Sequence, residues 1–169
     1  VCPAGWERNG SRGGKRARHL LIGASAGKIG GLHKKLGVIG VGHLGQHHAR
    51  VYTEILGAQL VGVVDLSENR AAAIGENLGV PYYSDVDEFI RKASPDAVSV
   101  VVPTSLHYEV AKKTLDNGIH VLIEKPVTTT VSEAEDLLKC AERSDLVLQV
   151  GHIERFNSAI QYISKIIHK

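Results

Sequence analysis

No apolar run in this 169-residue sequence approaches the ~20 residues that a helical bilayer span needs, so an integral membrane protein is not expected. Cysteine is nearly absent. Cys2 and Cys140 lie far apart, and only Cys140 falls in patterned sequence. That leaves no disulfide framework and no metal site, and it makes a reducing cytoplasm the expected location. The length is also too short for two ordinary domains, although it suffices for one α/β domain with a proper core. With 43% hydrophobic and 22% charged residues, the composition is that of a soluble globular protein. A dominant charge is lacking too, but the net +2 joins two unlike parts. Residues 1–34 hold seven Lys/Arg against one Glu, a net of +6, whereas residues 35–169 hold thirteen against seventeen Asp/Glu, a net of −4. The larger part is mildly acidic, which argues against nucleic acid as its partner.

Residues 1–34 carry eight of the eighteen glycines and show no sustained periodicity. A basic arm for nucleic acid or anionic lipid would want interleaved aromatics, which are missing. A signal peptide is suggested by Lys15, Arg16 and Arg18, then Leu20–Ala24, then Ala24-Ser25-Ala26. Its apolar stretch falls short of the ~7–15 residues required. A disordered or non-native basic leader is the preferred interpretation. Within it, Gly23-Ala-Ser-Ala-Gly27-Lys28-Ile-Gly30 imitates a phosphate loop. Three residues rather than four precede the Gly-Lys pair, Ile29 follows where Ser or Thr belongs, and no room remains for a helix before the next strand. The motif is rejected.

From residue 35 onward, strand-like and helix-like segments alternate with short connections, as βαβ units of a parallel sheet do. Strands are expected at Leu36–Ile39, Gln59–Val64, Pro81–Tyr83, Ala97–Val102, His120–Glu124 and Leu146–Val150. Helices are expected at Leu44–Leu56, from a Ser67 cap to Leu78 with Gly79 as stop, and from an Asp85 cap to Lys92. Further helices are expected at Leu106–Asn117 and, opened by a Ser132-x-x-Glu135 capping box, up to Arg143. Six strands with intervening helices give the expected fold class, an α/β Rossmann-type doubly wound parallel sheet over residues 35–151.

Gly40-Val-Gly42-His-Leu-Gly45 follows a strand and opens a helix. A lone G-x-G-x-x-G is weak, but here the context agrees. Gly40 permits the tight turn, Gly42 lets backbone approach a pyrophosphate, and Gly45 lets helix pack on strand. His43 and Leu44 complete the loop, and the helix N-terminus offers free N–H groups and a positive dipole end. An acidic residue belongs about 20 positions on, at the end of the next strand, and Asp65 stands there. Its carboxylate can accept both adenosine ribose hydroxyls and repels a 2′-phosphate, so NAD is expected over NADP. Arg70 nearby softens that preference. For an isolated aspartate, helix capping is the competing role.

Two more segments fall at strand ends, where open α/β sheets bind ligands. In Val102-Pro103-Thr104-Ser105-Leu106-His107, Pro103 and Thr104 would wall the nicotinamide half-site and Ser105 would cap the next helix. A plain strand-to-helix turn is the alternative, and His107 alone is better explained as a helix-start histidine than as a catalyst. In Glu124-Lys125-Pro126, a charged pair ends an apolar strand. The positive charge of an oxidised nicotinamide disfavours a neighbouring ammonium. Such a lysine can hydrogen-bond a substrate hydroxyl and take its proton as hydride leaves carbon. The alternative is a solvated Lys125 paired with Glu124.

Taken in order and spacing, Gly40–Gly45, Asp65, Pro103-Thr104 with His107, and Glu124-Lys125-Pro126 resemble the Gfo/Idh/MocA oxidoreductase family. The resemblance covers about Lys35 to the C-terminus, and its most specific part is Glu-Lys-Pro. It implies a catalytic role for Lys125 at substrate and nicotinamide, and a role for Glu124 in holding the cofactor's ribose. With these, Gly40, Gly42, His43, Leu44, Gly45, Asp65, Pro103, Thr104, His107, Glu124 and Lys125 form the expected cofactor site. Gly151-His-Ile-Glu-Arg155-Phe156-Asn157 looks like the crossover into the family's second domain. It is similar to members that oxidise the 3-hydroxyl of UDP-N-acetylhexosamines, although a domain-joining contact also accounts for Arg155 and Phe156.

Residues 152–169 are expected to begin that second α/β domain, with Asn157–His168 as an amphipathic helix carrying Ile160, Ile163, Ile166 and Ile167. In the family the second domain supplies much of the substrate pocket and the oligomer interface. A homo-oligomer is therefore the expected full-length form, and this stretch by itself is expected to be inactive and aggregation-prone. The resulting expectation is an NAD-dependent oxidoreductase acting on a secondary alcohol of a sugar, nucleotide sugar or cyclitol. The alternatives are a dinucleotide-binding module or redox-sensing regulator without chemistry and, on residues 1–34 alone, a nucleic-acid-binding protein. Lys125 favours the enzyme.

Overall fold

Val38 and Ile39 are neighbours in an apolar run, and the two-residue period of a strand sends them to opposite faces. Each finds a core there. Val38 packs with Val41, Ala49, Tyr52, Leu60 and Val63, whereas Ile39 joins Phe89, Val98, Val100, Leu115, Ile123 and Leu137. A sheet that is apolar on both faces must be covered on both, and this dictates the layering. The computed structural model describes residues 33–167; residues 1–32 of the leader, with the Gly23 motif and Cys2, and His168 lie outside them, whereas Lys34, expected in the leader, already belongs to the first strand.

The strands are β1 (Lys34–Ile39), β2 (Ala58–Val64), β3 (Tyr82–Tyr83), β4 (Ala97–Val100), β5 (His120–Ile123) and β6 (Leu148–Val150). All pair in parallel, in the order β3-β2-β1-β4-β5-β6. This is the doubly wound arrangement expected from the sequence, with its direction reversing between β1 and β4. Helices α1 (Gly45–Glu54) and α2 (Glu68–Leu78) cover the face that holds Val38. Helices α3 (Val86–Ala93), α4 (Thr104–Asp116) and α5 (Val131–Arg143) cover the other. Among the described residues no helix is long and apolar enough to cross a membrane.

The helix ends correct several expectations. Gly79 stops α2 in the left-handed region (φ 66°), and Asp85 caps α3 by accepting from the Glu88 N–H at 2.7 Å, both as expected. Ser67 occupies the N-cap of α2, but its hydroxyl makes no capping bond. Helix α4 starts at Thr104, directly after Pro103, so Ser105 lies inside the first turn and does not cap it. The chain leaves the sheet after Val100, because Pro103 turns it early and has no N–H to give to a ladder.

The capping box of α5 is Thr130 with Glu133, not Ser132 with Glu135. Both fit the same four-residue pattern, but Thr130 is the one with extended backbone (φ −131°, ψ 156°), which aims its hydroxyl at the Glu133 N–H. Ser132 is already helical. Thr130→Ala is therefore expected to cost about 1 kcal/mol in urea unfolding, and Ser132→Ala less than about 0.5 kcal/mol. Equal costs would contradict this assignment.

Beyond β6, a short 3-10 turn (Ile153–Phe156) leads into α6 (Ser158–Ile167). Helix α6 buries none of its residues, and Ile160, Ile163, Ile166 and Ile167 are all exposed.

Candidate functional site

Parallel pairing brings the C-terminal ends of all strands to one edge. The glycine loop follows β1, Asp65 follows β2, Val101–Thr104 follow β4, Glu124 and Lys125 follow β5, and Gly151 follows β6. Backbone bonds lock these ends together. Gly40 N–H donates to Val64 O, Val101 N–H to Ile39 O, Glu124 N–H to Val100 O, and Gly151 N–H to Ile123 O. The loop sits beside the β1–β4 reversal, where such sheets open a crevice.

The three loop glycines meet different surroundings. Gly40 has φ +90°, and a Cβ there would lie 2.6 Å from Val101 O. At Gly45 a Cβ would collide with Gly40 O, so the start of α1 can lie on the loop only without a side chain. At Gly42 a Cβ would meet nothing within 4 Å. Internal packing thus explains the first and third glycines but leaves the second open to an external group. Helix α1 also begins without a side-chain cap, Leu44 holding the N-cap position, and both His43 and Leu44 are exposed.

Asp65 is buried, 8% exposed, and plays two structural parts. Its Oδ2 accepts from the Val41 N–H at 3.1 Å, tying the end of β2 to the glycine loop. Its Oδ1 accepts from the Ser67 N–H at 2.9 Å, so the local turn-making role of an aspartate is present as well. Arg70 Nη1 approaches both oxygens, at 3.2 and 3.3 Å, from a side chain 55% exposed. Each carboxylate oxygen accepts about two bonds, so backbone takes one site on each and Arg70 the other. Only the arginine is free to move aside for ribose hydroxyls.

Pro103 is exposed and Thr104 half-buried at the start of α4. His107 is placed differently from its expected cofactor contact. It is 1% exposed, with Nδ1 2.8 Å from Pro126 O and Nε2 2.9 Å from Val102 O. Its ring bridges the loops after β4 and β5 from below, which leaves neither nitrogen for a ligand.

Glu124 and Lys125 diverge sharply. Lys125 is exposed; Glu124 is 6% exposed, with Oε2 accepting the Lys125 N–H at 3.1 Å. The pair is therefore no solvated ion pair. The partner of Glu124 is His48 of α1, whose Nε2 lies 3.3 Å from Oε1. His48 Nδ1 is 3.0 Å from Ser99 Oγ, and Ser99 Oγ is 2.6 Å from Tyr52 Oη. Burial depresses the His48 pKa from 6.5, opposed by the Glu124 carboxylate, and burial raises the Tyr52 phenol despite its bond to Ser99. His48 is thus neutral at neutral pH. The motifs and spacings of the sequence single out none of these three side chains. The available signals are Ser99, polar within an apolar strand, and the i, i+4 spacing of His48 and Tyr52 on one helix face.

A dinucleotide fits these residues. The open position at Gly42 and the uncapped start of α1 would take a pyrophosphate, and Asp65 an adenosine ribose.

Comparisons with known proteins agree with that fit. The family model for Gfo/Idh/MocA, described as an oxidoreductase family with an NAD-binding Rossmann fold, matches residues 34–152. UDP-N-acetylglucosamine 3-dehydrogenase of Acidithiobacillus ferrooxidans is 46% identical over 132 residues, covering 78% of this chain and 41% of that protein. A solved structure of the Acidithiobacillus ferrooxidans enzyme superposes with a TM-score of 0.73 at 44% identity, over 80% of this chain and 44% of that one. The structure of scyllo-inositol dehydrogenase from Lactobacillus casei, with bound NAD(H) and scyllo-inositol, gives a TM-score of 0.75 at 27% identity, over 81% of this chain and 41% of that one. The chain therefore spans less than half the length of the relatives it matches.

Proposed function

The chain belongs to the Gfo/Idh/MocA oxidoreductase family and carries its NAD-binding Rossmann domain, and from that premise we propose that the complete protein is a dehydrogenase acting on a secondary alcohol of a sugar, nucleotide sugar or cyclitol. One observation carries the proposal. At the end of β5 the two adjacent charges are separated, with Glu124 buried and held and Lys125 exposed at the same sheet edge that carries the glycine loop. A domain that only bound a nucleotide would have no evident use for that lysine.

Bound NAD supplies the hydride acceptor. The chain's own residues supply the rest. The N–H groups of Gly42–Gly45, at the start of α1, hold the pyrophosphate, and Asp65 holds the adenosine ribose. Glu124 orients the ribose on the nicotinamide side. Lys125 Nζ hydrogen-bonds the substrate hydroxyl and takes its proton as the C–H bond breaks. His107 keeps the loops that carry Pro103 and Lys125 in register.

Within the substrate class, similarity to the UDP-N-acetylglucosamine 3-dehydrogenase favours a nucleotide sugar. Residues 152–169 would begin the second domain, consistent with the uncovered apolar face of α6. Turnover is the test. The complete protein, given NAD with UDP-N-acetylglucosamine or scyllo-inositol, should form NADH, and the Lys125 variant described below should not. No alcohol-dependent NADH with either substrate or related sugars would favour a binding module or redox-sensing regulator.

A further inference from the structure

Under the glycine loop, four polar side chains from three parts of the fold form a continuous line. Tyr52 and His48 project from α1, Ser99 from the middle of β4, and Glu124 from the end of β5. The separations along the line are 2.6, 3.0 and 3.3 Å. Ser99 is completely buried, and Tyr52 and Glu124 nearly so. A polar line at this depth needs a reason beyond packing, because every member must be satisfied or it costs stability.

Counting hydrogens fixes its direction. An ionised carboxylate only accepts, so His48 Nε2 must carry a hydrogen. In a neutral imidazole Nδ1 then accepts, and the group beside it is the Ser99 hydroxyl. Ser99 has one hydrogen to give, so it in turn accepts from the Tyr52 O–H. Every donor points toward Glu124, and each bond polarises the next. An imidazolium would reverse the Ser99 hydroxyl, which would then accept from Nδ1 and could no longer give its hydrogen to His48. The groups that face His48 from the elements around it are Glu124, the neighbouring His47 on α1, and these two neutral hydroxyls.

The carboxylate is held on its other sides as well. Oε2 accepts the Lys125 N–H, and Gly151 comes so close that a Cβ there would lie 2.7 Å from Oε1. Glu124 is therefore anchored to the same helix that begins at the glycine loop.

We propose that His48 is a positioning residue for the cofactor crevice: as the Nε2–H tautomer selected by Glu124 and accommodated by the Ser99 and Tyr52 hydroxyls, it fixes Glu124 to α1 and so joins the pyrophosphate and nicotinamide-ribose halves of the crevice into one unit. The functional part of this rests on the NAD site described above. The tautomer part does not.

Two measurements on the 169-residue chain separate them. Nitrogen NMR of the cofactor-free chain should show His48 protonated at Nε2 and accepting at Nδ1 at neutral pH, titrating below 6.5. Glu124→Ala should release that tautomer, whereas Ser99→Ala, which leaves the carboxylate in place, should keep it. An Nδ1–H tautomer, or one indifferent to Glu124→Ala, would overturn the relay. In NADH titrations, His48→Ala should weaken binding about tenfold, the scale of a hydrogen bond to a charged group. His48→Gln, whose amide N–H reaches toward the position of Nε2, should recover most of that loss. In a Glu124→Ala background, His48→Ala should add less than about twofold. A full tenfold loss in that background, or no rescue by His48→Gln, would overturn the positioning role. Where His48→Ala fails to fold, His48→Leu, which keeps bulk at the site but gives Glu124 no hydrogen, takes its place. Failure of the unsubstituted chain to bind NADH would instead count against the cofactor site, with the tautomer result still deciding the relay.

Discussion

Gly42→Val is expected to abolish NADH binding in a chain that still folds, whereas Gly45→Val is expected to destabilise the chain itself. The two glycines sit three residues apart in one motif, yet their surroundings predict opposite failures. A side chain at Gly42 projects into space with no protein atom within 4 Å of its Cβ. Nothing in the fold opposes it, so unfolding free energy should stay within about 0.5 kcal/mol of the parent. The backbone approach that a pyrophosphate needs is lost, however, along with charge-assisted bonds to the loop N–H groups, and affinity should fall by about 100-fold or more. At Gly45 the obstruction is the carbonyl of Gly40, with Val101 Cβ at 3.6 Å behind it. A backbone carbonyl cannot yield as a flexible side chain would. Overpacking of this kind costs about 3 kcal/mol or more, a large part of a small domain's total stability. Urea unfolding together with an NADH titration on both variants distinguishes the cases. A Gly42→Val chain that binds NADH normally, or one as unstable as Gly45→Val, would contradict the assignment of the open face to a ligand.

The other large effect is on chemistry. Lys125→Met in the complete protein is expected to lower kcat by about 10²–10⁴, the usual contribution of a positioned acid–base group. Its effects on folding and on NADH binding should be small. The residue is exposed, and the bond it makes to Glu124 uses the backbone N–H, which methionine retains. Lys125→Arg should not restore turnover, because a guanidinium stays protonated and cannot take the hydroxyl proton. Unfolding midpoints and NADH affinity near the parent, with turnover lost, would place the defect at the proton-transfer step. Turnover near the parent value in Lys125→Met would remove this lysine from the mechanism.

Features governed by neighbours along the chain are legible in the sequence itself. The alternation of apolar strands and capped helices, the glycine loop after β1 and Asp65 at the end of β2 follow from period and spacing, and the sheet order places them on one edge. Where two local patterns overlap, the sequence cannot choose between them. Thr130…Glu133 and Ser132…Glu135 are the same motif two residues apart, and only the extended backbone at Thr130 decides. His107 departs from expectation for a different reason. Its position after Pro103-Thr104 suggests the crevice, but its ring turns inward to carbonyls of two separate loops, a tertiary fact. The line from Tyr52 to Glu124 is hidden in the same way. It joins residues from α1, β4 and the end of β5 that only parallel pairing brings together. A polar Ser99 inside an otherwise apolar strand and the i, i+4 spacing of His48 and Tyr52 are its visible traces.

A crevice that holds NAD by its glycine loop and selects it through Asp65 must bind NADH and NADPH unequally. A direct test is a fluorescence titration of the chain with NADH and, in parallel, NADPH. A 2′-phosphate would have to approach the Asp65 carboxylate, which is fixed by the Val41 and Ser67 N–H groups and cannot retreat, with Arg70 alone to compensate from an exposed position. NADH should bind at least about tenfold more tightly than NADPH, the difference that one mismatched buried charge readily produces, and Asp65→Ser should narrow the gap. Equal or tighter binding of NADPH, or no binding of either by the folded chain, would contradict the account.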